Sequence, residues 1–249
     1  MYQNKGLKMA VSYSPNFSFP KRSKERIKFI IIHYTGMKKE SAAIKKLQDP
    51  KSKVSSHYLI KNNGEILRLV PDLYEAWHAG VSSWKQFKSL NKNSIGIEIS
   101  NPGHDYKYKK FNEKQIKSVL KLISYLIKKY KIKSQFILGH SDISPDRKKD
   151  PGEKFPWRLL SKKKIGLWHN LNQKLLLKER YKSTSELEKK SFLNNLYKIG
   201  YAKNFNRKNT KYSNQLVVAF QRRFRQELIN GIIDKECLII SKNLINKFI

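Results

Sequence analysis

The sequence predicts an α/β protein with a central mixed β-sheet flanked by helices, followed by a small C-terminal three-helix domain. Before about residue 180, short apolar runs typical of strands occur between segments of helical spacing. Strands and helices in mixed order are typical of a layered α/β fold. After residue 180 only helical spacing occurs, over a length that can form a small domain. We therefore expect domains at residues 1–180 and 181–249.

The first predicted core element is KFIIIHYT, residues 28–35. Its four consecutive apolar residues, rich in β-branched isoleucine, predict a buried central strand. SAAIKKLQ, residues 41–48, is a candidate for a short helix. In SSHYLIKNNGEILRLV, residues 55–70, Asn63 and Gly64 separate two alternating segments. This pair is favoured in tight turns and predicts a hairpin.

Residues 94–100, SIGIEIS, form the next predicted strand. Its period-two alternation places the isoleucines on one face and Glu98 on the other. Residues 112–132 carry apolar side chains at helical spacing, and Asn112 with Gln115 indicates a capping box at the start. The sheet is therefore expected to be covered by at least one amphipathic helix.

The net charge of +34, from 53 basic and 19 acidic side chains, would attract polyanions. Lysine is spread over the whole chain, however, which favours compositional bias over a binding stripe. No stacking platform or groove-reading motif is visible, so no specific nucleic acid partner is expected. The single cysteine, Cys237, excludes an intrachain disulfide and leaves histidine and carboxylate as the ligands for any metal site.

The N-terminal segment, residues 1–28, has no continuous apolar stretch of the length that a signal peptide needs. No apolar run approaches the roughly 20 residues of a membrane span. These observations predict a cytoplasmic protein without a transmembrane segment, with the periplasm or cell envelope as the alternative. The sequence carries no feature that indicates an oligomeric state.

Two histidines end apolar strands, and a carboxylate lies in the loop after the second. His33 ends the strand at residues 28–35, and His140 ends the strand FILGH at residues 136–140. If these strands are parallel neighbours, both imidazoles lie at one edge of the sheet. Asp150 precedes a proline, which favours an extended backbone. Two imidazoles and one carboxylate match the ligand count of a catalytic zinc with an open fourth position.

Glu98 and Lys148 are candidates for the chemistry at such a site. In the same sheet, the Glu98 carboxylate could face the cleft and take a proton from water. Lys148, two residues before Asp150, could reach an oxygen that becomes negative when water attacks a carbonyl. The residues alone leave simpler interpretations open: hydrogen-bonded histidines, a salt bridge for Glu98 and a solvated surface position for Lys148.

The sequence alone leaves the roles of several other residues open. Asp142 lies two residues after His140 and is an alternative ligand by spacing. Further side chains that could touch the metal or line a cleft are His57, His78, Tyr34, Trp77 and Trp84. His104 and His169 carry no usable signal.

Five motifs in order resemble the successive blocks of a known enzyme family: IIIHYTG, SSHYLIKNNGEI, AWHAG, NSIGIEISNPG and GHSDISPDRKKDPG. The family is that of the zinc-dependent N-acetylmuramoyl-L-alanine amidases, the type 2 amidases, which includes peptidoglycan-recognition proteins and phage amidases. The similarity covers residues from about 28 to 160. The last block resembles most closely the AmiD-like branch of bacterial enzymes.

The resemblance implies that His33, His140 and Asp150 bind Zn²⁺, that Glu98 activates water and that Lys148 stabilises the oxyanion. The implied reaction is hydrolysis of the amide between N-acetylmuramic acid, or its 1,6-anhydro form, and L-alanine of the stem peptide. Peptidoglycan or anhydromuropeptide is the implied substrate, in cell-wall turnover or recycling. A noncatalytic peptidoglycan-binding protein on the same fold is the alternative, although the intact residue set favours catalysis.

The tail resembles the three-helix peptidoglycan-binding domain often appended to such enzymes. FLNNLYKIGY, LVVAFQRRFRQ and GIIDKECLIISKNL occur in that order, and AFQRRFR matches the AFQ-x-x-FR pattern. The three helices are expected to begin near Ser183, Ser213 and Asp234. Because a helical core stripe explains part of the apolar pattern, glycan binding by this domain stays open.

Overall fold

The computed structural model describes residues 7–203 and 211–248. Its strands are β1 (Ala10–Val11), β2 (Phe17–Ser18), β3 (Phe29–Tyr34), β4 (Tyr58–Ile60), β5 (Ile66–Arg68), β6 (Glu75–Ala76), β7 (Ser83–Trp84), β8 (Phe87–Lys88), β9 (Ser94–Ile99) and β10 (Ile137–Gly139). Its helices are α1 (Glu40–Gln48), α2 (Glu113–Tyr130), α3 (His140–Ile143), α4 (Trp157–Lys162), α5 (Gln173–Glu179), α6 (Glu186–Ile199), α7 (Tyr212–Phe224) and α8 (Lys235–Phe248). Within these ranges, none of the helices has both the length and the apolar character required to cross a bilayer.

Six of the strands form one mixed sheet in the order β1-β5-β4-β9-β3-β10. Strands β4 and β5 pair antiparallel, and the predicted hairpin turn at Asn63 and Gly64 joins them. Gly64 has a φ of +85°, a left-handed conformation that favours glycine. The pairs β4–β9, β9–β3 and β3–β10 are parallel, so the carboxyl ends of these central strands meet at one edge. The prediction of a central mixed sheet is confirmed.

One face of the sheet packs against helix α2. The buried side chains of this layer are Ile30, Ile32, Ile95, Ile97, Ile99, Val119, Leu122, Ile123 and Leu126. A capping box begins the helix, as predicted: the Asn112 side chain accepts from the Gln115 N–H, and the Gln115 side chain accepts from the Asn112 N–H. Truncating a buried leucine of this kind to alanine costs about 2–5 kcal/mol, so the layer contributes strongly to the stability of the sheet.

The opposite face of the sheet lies in one hydrophobic core with the C-terminal helices. Phe29, Ile31 and Leu138 belong to the same buried cluster as apolar side chains of α6, α7 and α8. The tail therefore shares a hydrophobic core with the sheet. The observed helix starts lie close to the predicted ones, while the domain boundary near residue 180 stays a prediction. Residues 1–6 of the predicted first domain, and residues 204–210 and 249 of the second, lie outside the described residues.

Candidate metal centre and cleft

The ends of β3 and β10 bring the two predicted histidine ligands together. Gly139 pairs with Ile32 across these parallel strands, so His140 and His33 follow at adjacent positions. Their Nδ1 atoms lie 3.0 Å apart. Oδ2 of Asp150 lies 2.9 Å from Nδ1 of His33 and 3.1 Å from Nδ1 of His140. All three side chains are buried, and their ligand atoms form a group that could hold a metal ion.

The loop after β10 holds the second histidine and the carboxylate together. His140 begins the short helix α3, and its Nε2 donates to the carbonyl oxygen of Ala79 at 3.1 Å. With the proton on Nε2, Nδ1 keeps a lone pair for a metal. The N–H of Ser141 donates to the carbonyl oxygen of Asp150 at 2.9 Å. This backbone hydrogen bond connects the segments that carry the two candidate ligands.

A chain of hydrogen bonds determines which nitrogen of His33 carries the proton. The Ser94 hydroxyl donates to the carbonyl oxygen of Leu90 at 2.6 Å, so it accepts from Nε2 of His78 at 3.2 Å. Nδ1 of His78 then accepts from Nε2 of His33 at 3.0 Å. Nδ1 of His33 therefore keeps its lone pair toward His140. Burial, followed by the charge of His33, holds the pKa of His78 well below its usual value, which keeps the His78 ring neutral.

His78 can lie against the sheet because position 96 has no side chain. A Cβ at Gly96 would lie 2.5 Å from Cγ of His78, which is too close for any ordinary contact. Gly96 is the glycine of SIGIEIS and pairs with Ile31 of β3. The glycine therefore makes room for the histidine that orients His33.

The protonation states of His33 and Asp150 are those that metal binding requires. Burial, and then the charge of His140, lowers the pKa of His33 to about 4, so this ring is neutral at neutral pH. Burial alone would raise the pKa of Asp150, but the His140 and His33 imidazoles beside its carboxylate hold it well below its usual range. A neutral imidazole and an ionised carboxylate are the forms that bind a metal. This buried set of two nitrogens and one oxygen therefore fits a metal ion.

Glu98 lies beside this group on the neighbouring strand. It pairs with His33 in the parallel register of β3 and β9, so both side chains leave the sheet on the same face. The side chain lines the same cleft as His33, and among the described residues its buried Oε2 has no hydrogen-bond partner. Burial, and then the charge of Asp150, raises the pKa of Glu98 to about 8, while Lys148 opposes the shift. A carboxylate with such a pKa can both accept and release a proton near neutral pH.

The cleft above these residues has a volume of about 470 Å³ and a cationic wall. The basic side chains that line it are Lys46, Arg147, Lys148 and Lys149. Tyr34 and Trp77, both candidates from the sequence, line it as well. Clustered positive charge at a cleft favours an anionic ligand.

Asp142 and His57 lie outside the metal group. Asp142 forms an ion pair with Arg223 of α7, so its carboxylate is engaged elsewhere. Nδ1 of His57 accepts from the N–H of Gly96 at 3.0 Å, and its Nε2 donates to the carbonyl oxygen of Tyr74 at 3.0 Å. His57 therefore joins the sheet to the loop beside it.

The positions of Trp84 and His104 could not be read from the sequence. Trp84 is 2% exposed and packs edge-on against Tyr201, with ring centroids 4.8 Å apart, so it belongs to the core and not to the cleft wall. His104 had no sequence signal, yet its Nδ1 accepts from the hydroxyl of Tyr34 at 2.8 Å. Its Nε2 donates to Glu153 at 3.0 Å. His104 thus holds the ring of Tyr34 in the cleft wall.

Sequence reasoning misses Arg147. This side chain lies in the cleft wall and donates through Nε to the carbonyl oxygen of Val81 at 3.0 Å, and it also bonds the carbonyl oxygen of Ala79. The available signal is the run of three basic residues shortly before Asp150, of which spacing singles out Lys148.

This chain is similar to known N-acetylmuramoyl-L-alanine amidases in sequence and in fold. The profile of the Amidase_2 family, described as N-acetylmuramoyl-L-alanine amidase, matches residues 23–153. The N-acetylmuramoyl-L-alanine amidase AmiD of Escherichia coli K12 is 34% identical in an alignment 235 residues long, which covers 90% of this chain and 84% of that protein. The structure of AmiD with the substrate anhydro-N-acetylmuramic acid-L-Ala-D-gamma-Glu-L-Lys is similar at a TM-score of 0.80, with 34% identity, and the similarity covers 93% of both chains. AMPDH3 from Pseudomonas aeruginosa, in complex with anhydromuramic pentapeptide, has a TM-score of 0.78 and 29% identity, covering 94% of this chain and 97% of that chain.

The matched region contains all the candidate site residues. They are His33, Glu98, His140, Lys148 and Asp150, and their individual roles stay predictions. The similarity to AmiD extends beyond this region and includes the tail helices, because it covers nine-tenths of the chain. The family resemblance of the five motifs is confirmed: this chain belongs to the N-acetylmuramoyl-L-alanine amidase family and shares the overall fold of AmiD.

Proposed function

We propose that this protein uses zinc to hydrolyse the amide between N-acetylmuramic acid, or its 1,6-anhydro form, and L-alanine of peptidoglycan fragments. The main support is the convergence of His33, His140 and Asp150 beside Glu98 in one cleft. Family membership supports the reaction. The fragments bound to AmiD and AMPDH3 support the substrate class and a place in cell-wall turnover or recycling.

His33, His140 and Asp150 would hold the zinc, because two imidazole nitrogens and one carboxylate oxygen match a catalytic donor set. Zinc bound there would polarise the scissile carbonyl and lower the pKa of a water molecule. Glu98 takes a proton from the attacking water, since its side chain lines the cleft on the strand position paired with His33. Glu98 then returns this proton to the amine of L-alanine as the amide bond breaks. Lys148, in the cleft wall, stabilises the negative oxygen that forms during the attack.

The cationic wall fits the stem peptide. The substrate bound to AmiD contains D-gamma-Glu, and a glutamate linked through its side chain keeps a free α-carboxylate. Arg147, Lys148 and Lys149 supply positive charge along the cleft for such a group.

The test is hydrolysis of defined muropeptides by purified, zinc-loaded protein. Anhydro and reducing-end forms with the same stem peptide are incubated in parallel, and mass spectrometry detects the released peptide. We expect release that a zinc chelator abolishes and that added zinc restores. Folded protein that contains zinc but releases no peptide from either form would contradict the proposal. Binding of the same muropeptides would then favour the noncatalytic alternative.

The cytoplasmic location expected from the sequence stays a prediction, and glycan binding by the tail stays open. Cell fractionation tests the first, with the periplasm or envelope fraction as the alternative. Co-sedimentation of the full chain with purified sacculi tests the second, with the zinc chelator present so that hydrolysis does not remove the ligand.

A further inference from the structure

Asp142 is a buried carboxylate in the loop between the candidate ligands, and its partners come from the C-terminal segment. Arg223 of α7 forms an ion pair with Oδ2 of Asp142, and these side chains are 2% and 1% exposed. The hydroxyl of Tyr201 donates to Oδ1 of Asp142 at 2.7 Å. Tyr201 and Arg223 lie 59 and 81 positions further along the chain. Both carboxylate oxygens are therefore held by the tail.

Asp142 transmits this restraint to the backbone around a candidate ligand. The N–H of Gly139 donates to Oδ2 of Asp142 at 2.7 Å, which ties the end of β10 to α3. His140 lies between these two residues. Arg223 also donates to the carbonyl oxygen of Ile137 at 3.0 Å. One guanidinium thus contacts the strand before His140 and the helical turn after it.

Because Asp142 is buried, its carboxylate depends on these partners. A carboxylate that loses its partner in a site closed to water is strongly destabilised, so the surrounding backbone shifts or the group turns elsewhere. Any movement of α3 moves His140, which begins it. It also moves the N–H of Ser141, which bonds the carbonyl oxygen of Asp150. Groups that orient metal ligands from outside the coordination sphere commonly change metal affinity when they are lost.

We propose that Arg223 and Tyr201 are positioning residues for the metal site, so that the C-terminal segment sets the zinc affinity of the loop that carries His140 and Asp150. They act through Asp142 and do not line the cleft. The proposal rests on the proposed function in one respect, namely that this loop binds zinc. The tail is then part of the metal site, apart from any role in holding glycan.

Removal of single hydroxyl groups provides the mildest test. Tyr201→Phe deletes the hydrogen bond to Asp142, whereas Tyr212→Phe deletes one to the carbonyl oxygen of Ala202 within the tail. The zinc dissociation constant is measured without substrate, by competition with a chromophoric chelator. We expect zinc binding about tenfold weaker in Tyr201→Phe, the lower end for outer-sphere partners, and unchanged in Tyr212→Phe.

Two buried arginines of the tail provide a second, stronger comparison. Arg223→Lys keeps a positive charge but cannot contact both Asp142 and Ile137 as the guanidinium does. Arg225→Lys makes the matched change at an arginine that pairs with Asp234 inside the tail. Both variants should lose thermal stability, but only Arg223→Lys should bind zinc about 10- to 100-fold more weakly.

Circular dichroism shows whether each variant is folded. If Arg223→Lys does not fold, the zinc affinity of Tyr201→Phe alone tests the proposal. Wild-type zinc affinity in the folded variants at positions 201 and 223 would overturn the proposal. Equal weakening in the two control variants would also overturn it, because general destabilisation would then be the cause. A wild-type protein that binds zinc tightly but cuts no muropeptide contradicts the proposed function alone, since the zinc comparison uses no substrate.

Discussion

Glu98 and His33 occupy directly paired positions on the parallel strands β9 and β3, so a candidate base and a candidate metal ligand leave the sheet side by side. They belong to separate strands, and no hydrogen bond between them holds either side chain in place. The role in proton transfer can therefore be removed by substitution while the metal ligands stay in position.

Glu98→Gln should leave zinc content unchanged and lower kcat for muropeptide hydrolysis by at least about 100-fold. Glutamine has nearly the shape of glutamate but cannot accept the proton from water. Zinc is measured by elemental analysis and turnover by release of the stem peptide. Hydrolysis at the wild-type rate in this variant would remove Glu98 from the proposed role.

His140→Ala should lose both zinc and turnover. Asp142, the alternative ligand by spacing, is engaged by Arg223 and cannot replace the missing imidazole. His169→Ala is a suitable control, because this ring stacks on Trp168 and does not line the cleft, so its loss should leave zinc content unchanged. Stoichiometric zinc in His140→Ala would move the ligand assignment to another residue.

Ser94→Ala should weaken zinc binding about tenfold without touching a ligand. The Ser94 hydroxyl fixes the proton of His78 on Nε2, and through His78 it keeps Nδ1 of His33 free for the metal. Histidine nitrogen shifts measured by NMR report the tautomers directly. Ser118→Ala, which removes a hydroxyl that bonds the carbonyl oxygen of Gly64, should change neither tautomer nor affinity. An unchanged His33 tautomer in Ser94→Ala would contradict the relay.

Asp72→Asn should lower the free energy of unfolding by about 2 kcal/mol at neutral pH. The carboxylate of Asp72 accepts from the hydroxyl of Tyr130 at 2.6 Å and from Nζ of Lys129 at 2.8 Å. Burial would raise the pKa of Asp72, but these hydrogen bonds, with one from Tyr58, hold it below its usual value. Since the pKa is lowered on folding, this stability is present above the unfolded value of about 3.9 and is lost as the pH falls through the folded value.

Urea denaturation at neutral and acidic pH measures this difference. The gap between the wild type and Asp72→Asn should close in acid. Glu65→Gln, which breaks an exposed pair with Lys61, serves as the control and should show no measurable change at either pH. A gap that stays constant down to low pH would show that the charge of Asp72 is not the source of the effect.

Local patterns in the sequence predict a large part of this fold and site. The buried strand before His33, the hairpin turn and the capping box of α2 depend on residues close together in the chain, and all three are confirmed. The proximity of His33 and His140 also follows from strand ends, once β3 and β10 are neighbours, whereas spacing leaves both Asp142 and Asp150 as candidates for the third ligand. The partners of Asp142 and the burial of Trp84 against Tyr201 do not follow, because they depend on how the tail packs on the sheet. Spacing between residues far apart in sequence carries no such information.

The shared core of the sheet and the tail restricts how this protein can be rearranged. Phe29, Ile31 and Leu138 lie in one buried cluster with apolar side chains of the tail helices. A chain cut near residue 180 would expose part of this cluster, and such apolar surfaces promote association between molecules. Recombination could therefore replace the tail by another binding module only if the apolar residues left exposed were made polar at the same time.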